Sequence, residues 1–284
     1  MRRAIVPGYP VRMGFGPSGG SVLGAAVYER ALFVASGLLF VLSTVATIVW
    51  TAAMPAMSEM PMPGGWAMSM IWMRMPGQTW IGAVASFTGM WSMMMMAMMS
   101  PCLLPVLVRY RQGLRGSGET RLNRPTAMFA LGYFCVWVLL GIVAYPFGAG
   151  LAAIEMQQAA LARAIPSLAA VIVLIAGVLQ FSSWKAHHLA CCREAPGRRS
   201  ALRVDLGSAW HLGVRLGAHC MHSCAGLTAL LLVAGVMDLR AMAAITAAIN
   251  LERLAPARAR PERLVGTLIL AVGIFLSMKA GSIP

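Results

Sequence analysis

Residues 80–108 read WIGAVASFTGMWSMMMMAMMSPCLLPVLV, a run of 29 positions with no Asp, Glu, Lys or Arg. A helix needs about 20 mostly apolar residues to cross about 30 Å of hydrocarbon. A helix on the surface of a soluble protein would show a polar stripe at every turn; this stretch shows none. Working outward from it, comparable runs lie at roughly 31–53, 126–149, 165–184, 217–237 and 264–281. A weaker one, Ala-rich and ending on Glu252-Arg253, covers 239–254. Lipid offers no water to unpaired backbone groups, so segments of this kind must be helices that bond internally. The sequence therefore predicts an all-α polytopic membrane protein, a bundle of about seven transmembrane helices. A single transmembrane domain over 28–284 follows a disordered cytoplasmic tail at 1–27. The tail is rich in Gly and Pro after Arg2-Arg3, and no apolar signal-peptide core follows those arginines closely.

Composition agrees. Apolar residues make up 59% of the chain and charged residues 11%, with a mean hydropathy of +0.73. Soluble domains carry about 25% charged residues, so neither a soluble globule nor a disordered chain is expected. A net charge of +14 suggests nucleic acid until the charges are sorted by side. With seven spans and an inner N-terminus, 19 of the 23 cations fall on one face, leaving Arg74, Arg163, Arg240 and Lys279 on the other. That asymmetry is the positive-inside pattern. Without the 239–254 span, Arg253, Arg258, Arg260 and Arg263 would lie outside. The reading is N-in, C-out, in a bacterial inner membrane, with the lipid bilayer rather than nucleic acid as partner.

Methionine is the unusual count, at 23. Met54, Met57, Met60, Met62, Met68, Met70, Met73 and Met75 crowd the outer loop after the first span. Met90, Met93, Met94, Met95, Met96, Met98 and Met99 fill the second span. A thioether is a soft, neutral donor that selects Cu(I). Candidate sulfur ligands are therefore Met54, Met57, Met60 and Met62 in the loop, and the i, i+4 pair Met94/Met98 in the span. Methionine also serves as an adaptable filler of apolar interfaces, and within the span that use competes with metal binding. Pro55, Pro61, Pro63 and Gly64-Gly65 predict an irregular loop.

A second cluster is denser. All five histidines (His187, His188, His211, His219, His222) and four of six cysteines (Cys191, Cys192, Cys220, Cys224) fall within 38 residues. On the inner face thiols stay reduced, so metal ligation is expected over disulfides. His188/Cys192 and Cys220/Cys224 have i, i+4 spacing, which places each pair on one helix face. Two helices could so offer one nitrogen and three sulfurs to copper, or alternatively to zinc, with Cys191 and His222 as further ligands. Cys102 and Cys135 read as packing residues. An ionisable group within a span is a functional candidate because burying it is expensive. Glu252 could pair with Lys185 or an arginine, or line a cation path; Gln180 and Arg253 join these two as residues supporting the site.

Several ordered blocks carry a family resemblance over roughly 80–275. They are Trp91 with Ala97-Met98-Met99-Ser100-Pro101 and Pro105; Gly132-Tyr133 with Trp137; and Gln180-Phe181 through Lys185 and His188-Leu189 to Cys192-Arg193 and Pro196. The series continues with Gly213, Gly217, Cys220 and Cys224, then Gly235-Val236-Met237-Asp238 and Glu252-Arg253. In these the chain resembles the bacterial group described as predicted metal-binding integral membrane proteins (domain of unknown function 2182). Against that group's pattern, His188 stands at a usual cysteine, Ser223 at a second cysteine, Arg253 at a lysine and Asp238 at an asparagine. The resemblance implies a metal site and no established activity.

The expected function is soft-metal handling, with copper ahead of zinc. It takes the form of transport or of delivery to a partner metalloenzyme or periplasmic metal-binding protein. The alternatives are a membrane redox subunit using the cysteine pairs, and a structural subunit with methionine packing. No phosphate-binding loop, Walker lysine or nucleophile elbow is visible in the sequence. No catalytic residue is assigned, and an enzyme is the less expected case.

Overall fold

The computed structural model describes residues 19–53, 60–62, 66–74, 77–116, 122–193 and 205–281. Among the described residues eight α-helices run in chain order: α1 Gly19–Ala53, α2 Trp80–Gly116, α3 Asn123–Gln157, α4 Ala159–Leu179, α5 Ser183–Arg193, α6 Leu206–Ala234, α7 Leu239–Leu254 and α8 Pro261–Gly281. Six of them (α1, α2, α3, α4, α6 and α8) are long and apolar enough to cross a membrane. The fold is thus the helical, membrane-competent bundle that the apolar runs predict.

Contacts fix the helix directions. Gly213 of α6 lies against the Phe129 carbonyl of α3, and Gly217 against that of Tyr133. Both registers advance together, so α3 and α6 are parallel. A methyl group on Gly213 would stand 2.1 Å from that carbonyl oxygen; only glycine permits this approach. Helices α4 and α8 run antiparallel, with Gly177 on Leu270 and Gly273 on Leu174. Helix α2 is interior: Trp91, Met94, Met95, Met98 and Met99 are all buried, and the Trp91 indole donates to the Trp137 carbonyl of α3 at 2.9 Å. Helices α1 and α8 stay peripheral, leaving Phe33, Leu42, Leu268 and Phe275 exposed, as lipid-facing helices do.

The seventh expected span is a helix with the expected bounds, but only 16 residues long. At 1.5 Å per residue it covers about 24 Å, short of the usual thickness, and it is not among the six. Its start is set by Asp238, whose carboxylate accepts from the Arg240 and Ala241 amides. It still returns the chain from one end of the bundle, where Thr51 of α1 reaches Met237, to the other, where Glu252 meets Lys185.

Three expectations need correction. The fourth span does not run to 184: α4 stops at Leu179, a turn covers Gln180–Ser182, and α5 begins at Ser183. The Ser182 hydroxyl accepts the Lys185 amide, capping the new helix. Residues 19–27, read as tail, are helical and belong to α1; the remainder of the tail, 1–18, lies outside the described residues. The outer loop is not wholly irregular, since Met60–Met62 pairs antiparallel with Trp66–Met68. This ribbon is tied to the bundle by the Trp66 indole, which donates to the Ala162 carbonyl at 2.8 Å.

Candidate metal centre

The site is built at the end of the bundle where α5 packs across α6 and α7. On α5, Lys185, Leu189 and Cys192 are buried, at spacings of four and three residues that make one face of a helix. On α6, Gly217, Cys220, Ser223, Cys224 and Leu227 form the matching buried face. The α2 helix adds Met99 and Cys102, and α7 adds Arg253.

These elements bring five sulfur atoms together. The Cys220 thiol donates toward Met99 Sδ at 3.9 Å and contacts the Tyr133 hydroxyl at 3.0 Å. Cys224 follows Cys220 by one turn of α6, and both are buried. Ser223 Oγ lies 3.8 Å from Cys224 Sγ and 3.9 Å from Cys192 Sγ, bridging α5 to α6. Arg253 Nη1 donates to Cys102 Sγ at 3.5 Å. Cys102, Cys192, Cys220 and Cys224 are all buried, and all are free thiols. Burial pushes the Cys192 thiol up to about 11, so it is protonated at neutral pH and must lose its proton to ligate.

The histidines form a second, more accessible cluster on the neighbouring faces of α5 and α6. His188 Nδ1 and His219 Nδ1 are 3.0 Å apart, one of them carrying the hydrogen. His222 stacks on His188 with centroids 4.9 Å apart, and Trp184 meets both rings edge-on. His187 Nε2 lies 3.8 Å from Cys191 Sγ, on the outward side of α5. Burial, with His222, His219 and His187 nearby, holds the His188 ring below the ordinary histidine range. His211 is exposed on α6.

Beside both clusters Lys185 Nζ pairs with Glu252, 2.8 Å from Oε1 and 2.7 Å from Oε2, both side chains being buried. Gln180 Oε1 accepts from the same ammonium, and Arg193 donates to the Glu252 carbonyl. These contacts hold the α4–α5 turn and α5 against the end of α7.

The structure therefore divides the residues that the sequence grouped. Cys192, Cys220 and Cys224 converge, while His188, spaced from Cys192 for a shared site, sits with His219 and His222. Cys191 lies apart with His187. Among the described residues no three Cys, His, Asp or Glu side chains already stand in metal-ligand geometry. Met94 and Met98 are buried within the core, and the methionine sulfur that reaches the thiols is Met99's. Met54 and Met57 lie outside the described residues; Met60 and Met62 are placed only by their backbones, in the first strand. One residue escapes the sequence reading: Cys102, read as packing, although its i, i+3 spacing from Met99 is a usable signal. Arg253, read among the residues supporting the site, turns its guanidinium to the sulfurs.

Compared with known proteins, residues 88–276 match the model of a family described as PpoB2, copper chaperone. The matched segment is about two thirds of the chain and includes every element of both clusters. It agrees with the sequence resemblance at the level of a metal-related family. No curated protein and no solved structure matches the chain.

Proposed function

The chain belongs to the PpoB2 copper-chaperone family, and from that premise we propose that it is a membrane-embedded carrier of Cu(I). It holds the ion on the buried sulfurs of α2, α5 and α6 and passes it to a partner metalloenzyme or metal-binding protein. The observation carrying this reading is the convergence of Cys220 and Cys224 with Met99, Cys192 and Cys102 in one dry pocket. Cu(I) is a soft ion satisfied by two or three sulfur donors, and thioethers favour it over zinc. More sulfurs are present than such an ion needs. It can therefore change partners by gaining one donor before losing another, which is what a carrier must do. Arg109, Arg193 and Arg253 gather at this end of the bundle, which supports a cytoplasmic face for the pocket by the positive-inside rule, where thiols stay reduced. The outer methionines would gather the ion on the opposite side.

The test is anaerobic Cu(I) loading of the protein in lipid nanodiscs, in competition with a chromophoric Cu(I) chelator. About one Cu(I) per chain is expected to resist the competitor, and the doubly substituted Cys220→Ser/Cys224→Ser protein is expected to retain none. Undiminished stoichiometry in that variant would show that the ion sits elsewhere.

A further inference from the structure

Arg253 is the one guanidinium that reaches the sulfur pocket among the described residues. Nη1 points to Cys102, and Cys220, Cys192, Cys224 and Tyr133 are its other electrostatic neighbours. Its Nε and Nη2 are buried and make no hydrogen bond. The carboxylate beside it in sequence, Glu252, is engaged by Lys185. Among the described residues no other carboxylate pairs with Arg253. A buried cation without a counter-anion is costly, and orphaned donors of a buried guanidinium call for an anionic acceptor. The pocket supplies one only when thiols ionise.

We infer that Arg253 is the counter-charge of the metal-loaded pocket and selects a monovalent ion. The inference rests on the Cu(I) reading above. Loading is a ligand exchange in which two thiols, Cys220 and Cys224, each form a sulfur–metal bond and each release one proton. The Met99 thioether adds a third donor without adding charge. One Cu(I) with two thiolates carries a net charge of −1, and Arg253 brings the pocket to zero. A divalent ion on the same donors is itself neutral and leaves Arg253 uncompensated, a net +1 buried away from water. In a low-dielectric interior that difference decides which ion stays. The discriminating feature is thus repulsion of the wrong charge in addition to sulfur softness. It extends to Ag(I), which shares the charge and the softness and undergoes no redox change under these conditions.

The experiment compares wild type, Arg253→Lys and Arg253→Gln in nanodiscs, measuring Cu(I), Ag(I) and Zn(II) affinities by competition. Proton release per ion is recorded in weak buffer. Wild type should release two protons per Cu(I). Arg253→Gln should lose about tenfold or more in Cu(I) and Ag(I) affinity, with Zn(II) binding unchanged or improved. Arg253→Lys keeps the charge and should restore the preference, which a merely packing role would not. An unchanged Cu(I)-to-Zn(II) ratio in Arg253→Gln overturns the inference. So does release of three or more protons in wild type, a readout that needs no variant to fold. If the two-cysteine variant instead loads Cu(I) normally, the pocket itself is wrong, an outcome separate from the failure of Arg253 alone.

Discussion

Two clusters of metal-capable side chains share α5 and α6, the sulfur one drawing also on α2, and they differ in nearly every physical respect. The sulfur pocket is sealed: Cys192, Cys220 and Cys224 face α2 and α7, and their neighbours are Met99, Tyr133 and Arg253. The histidine cluster is half-open, with His222 stacked on His188 and Trp184 edge-on to both. A sealed thiol site favours a soft ion held dry; an open imidazole site exchanges with solvent and binds harder ions as readily. Residue type and depth are thus matched, and the difference assigns holding to the pocket and at most passage to the histidines.

The comparison can be broken at either side. The largest effect should come from Cys220→Ser/Cys224→Ser, with a loss of more than about ten-thousandfold in Cu(I) affinity, about 5.5 kcal/mol. Chelator competition checks it, and a small loss would make the two clusters equivalent. Next is Lys185→Met, which strands Glu252 in the same dry region and should cost about 3–5 kcal/mol of stability. Thermal unfolding in detergent measures that, and adding Glu252→Gln should recover most of it. Gly213→Ala drives a methyl group into the Phe129 carbonyl and should cost about 1–3 kcal/mol. By disturbing the α3–α6 contact it should also weaken Cu(I) retention while leaving the His188–His219 contact in place. The smallest effect belongs to His188→Ala, at most about tenfold in Cu(I) affinity, about 1.4 kcal/mol. That cluster should respond to pH instead. The folded state holds the His188 ring below its ordinary range, so its contribution to stability is full above about pH 6.5 and is lost as pH falls. Histidine ring signals in NMR would follow this opening.

Much of the fold was legible because membrane helices write themselves as apolar runs. Even the weak 239–254 segment has the expected bounds, since Asp238 caps its start and Pro256 follows its end. The break between α4 and α5 was not legible, because the Gln180–Ser182 turn carries neither Gly nor Pro to mark it and is capped by Ser182. That break is also why His188 and Cys192 part company. Although they are spaced i, i+4, the buried arc of α5 runs through Lys185, Leu189 and Cys192, and His188 falls just off it toward His219. The contact between Cys102 and Arg253 was hidden for another reason: α2 and α7 bring the two together, and their 151-residue separation in the chain gives no sign of it. Lys185 and Glu252 were legible as costly charges, though their mutual distance was not.

The Gln180–Ser182 turn has a further consequence, best put as path length. Had α4 continued straight, Cys192 would lie 13 residues beyond Leu179, about 20 Å farther along the axis and past the edge of any bilayer that α4 spans. By turning the chain back, three residues bring α5 alongside α6, with His188 at His219 and Cys192 at Ser223, and make a position remote in sequence a wall of the pocket. Depth in this molecule is set by where the chain bends as well as by how apolar it is.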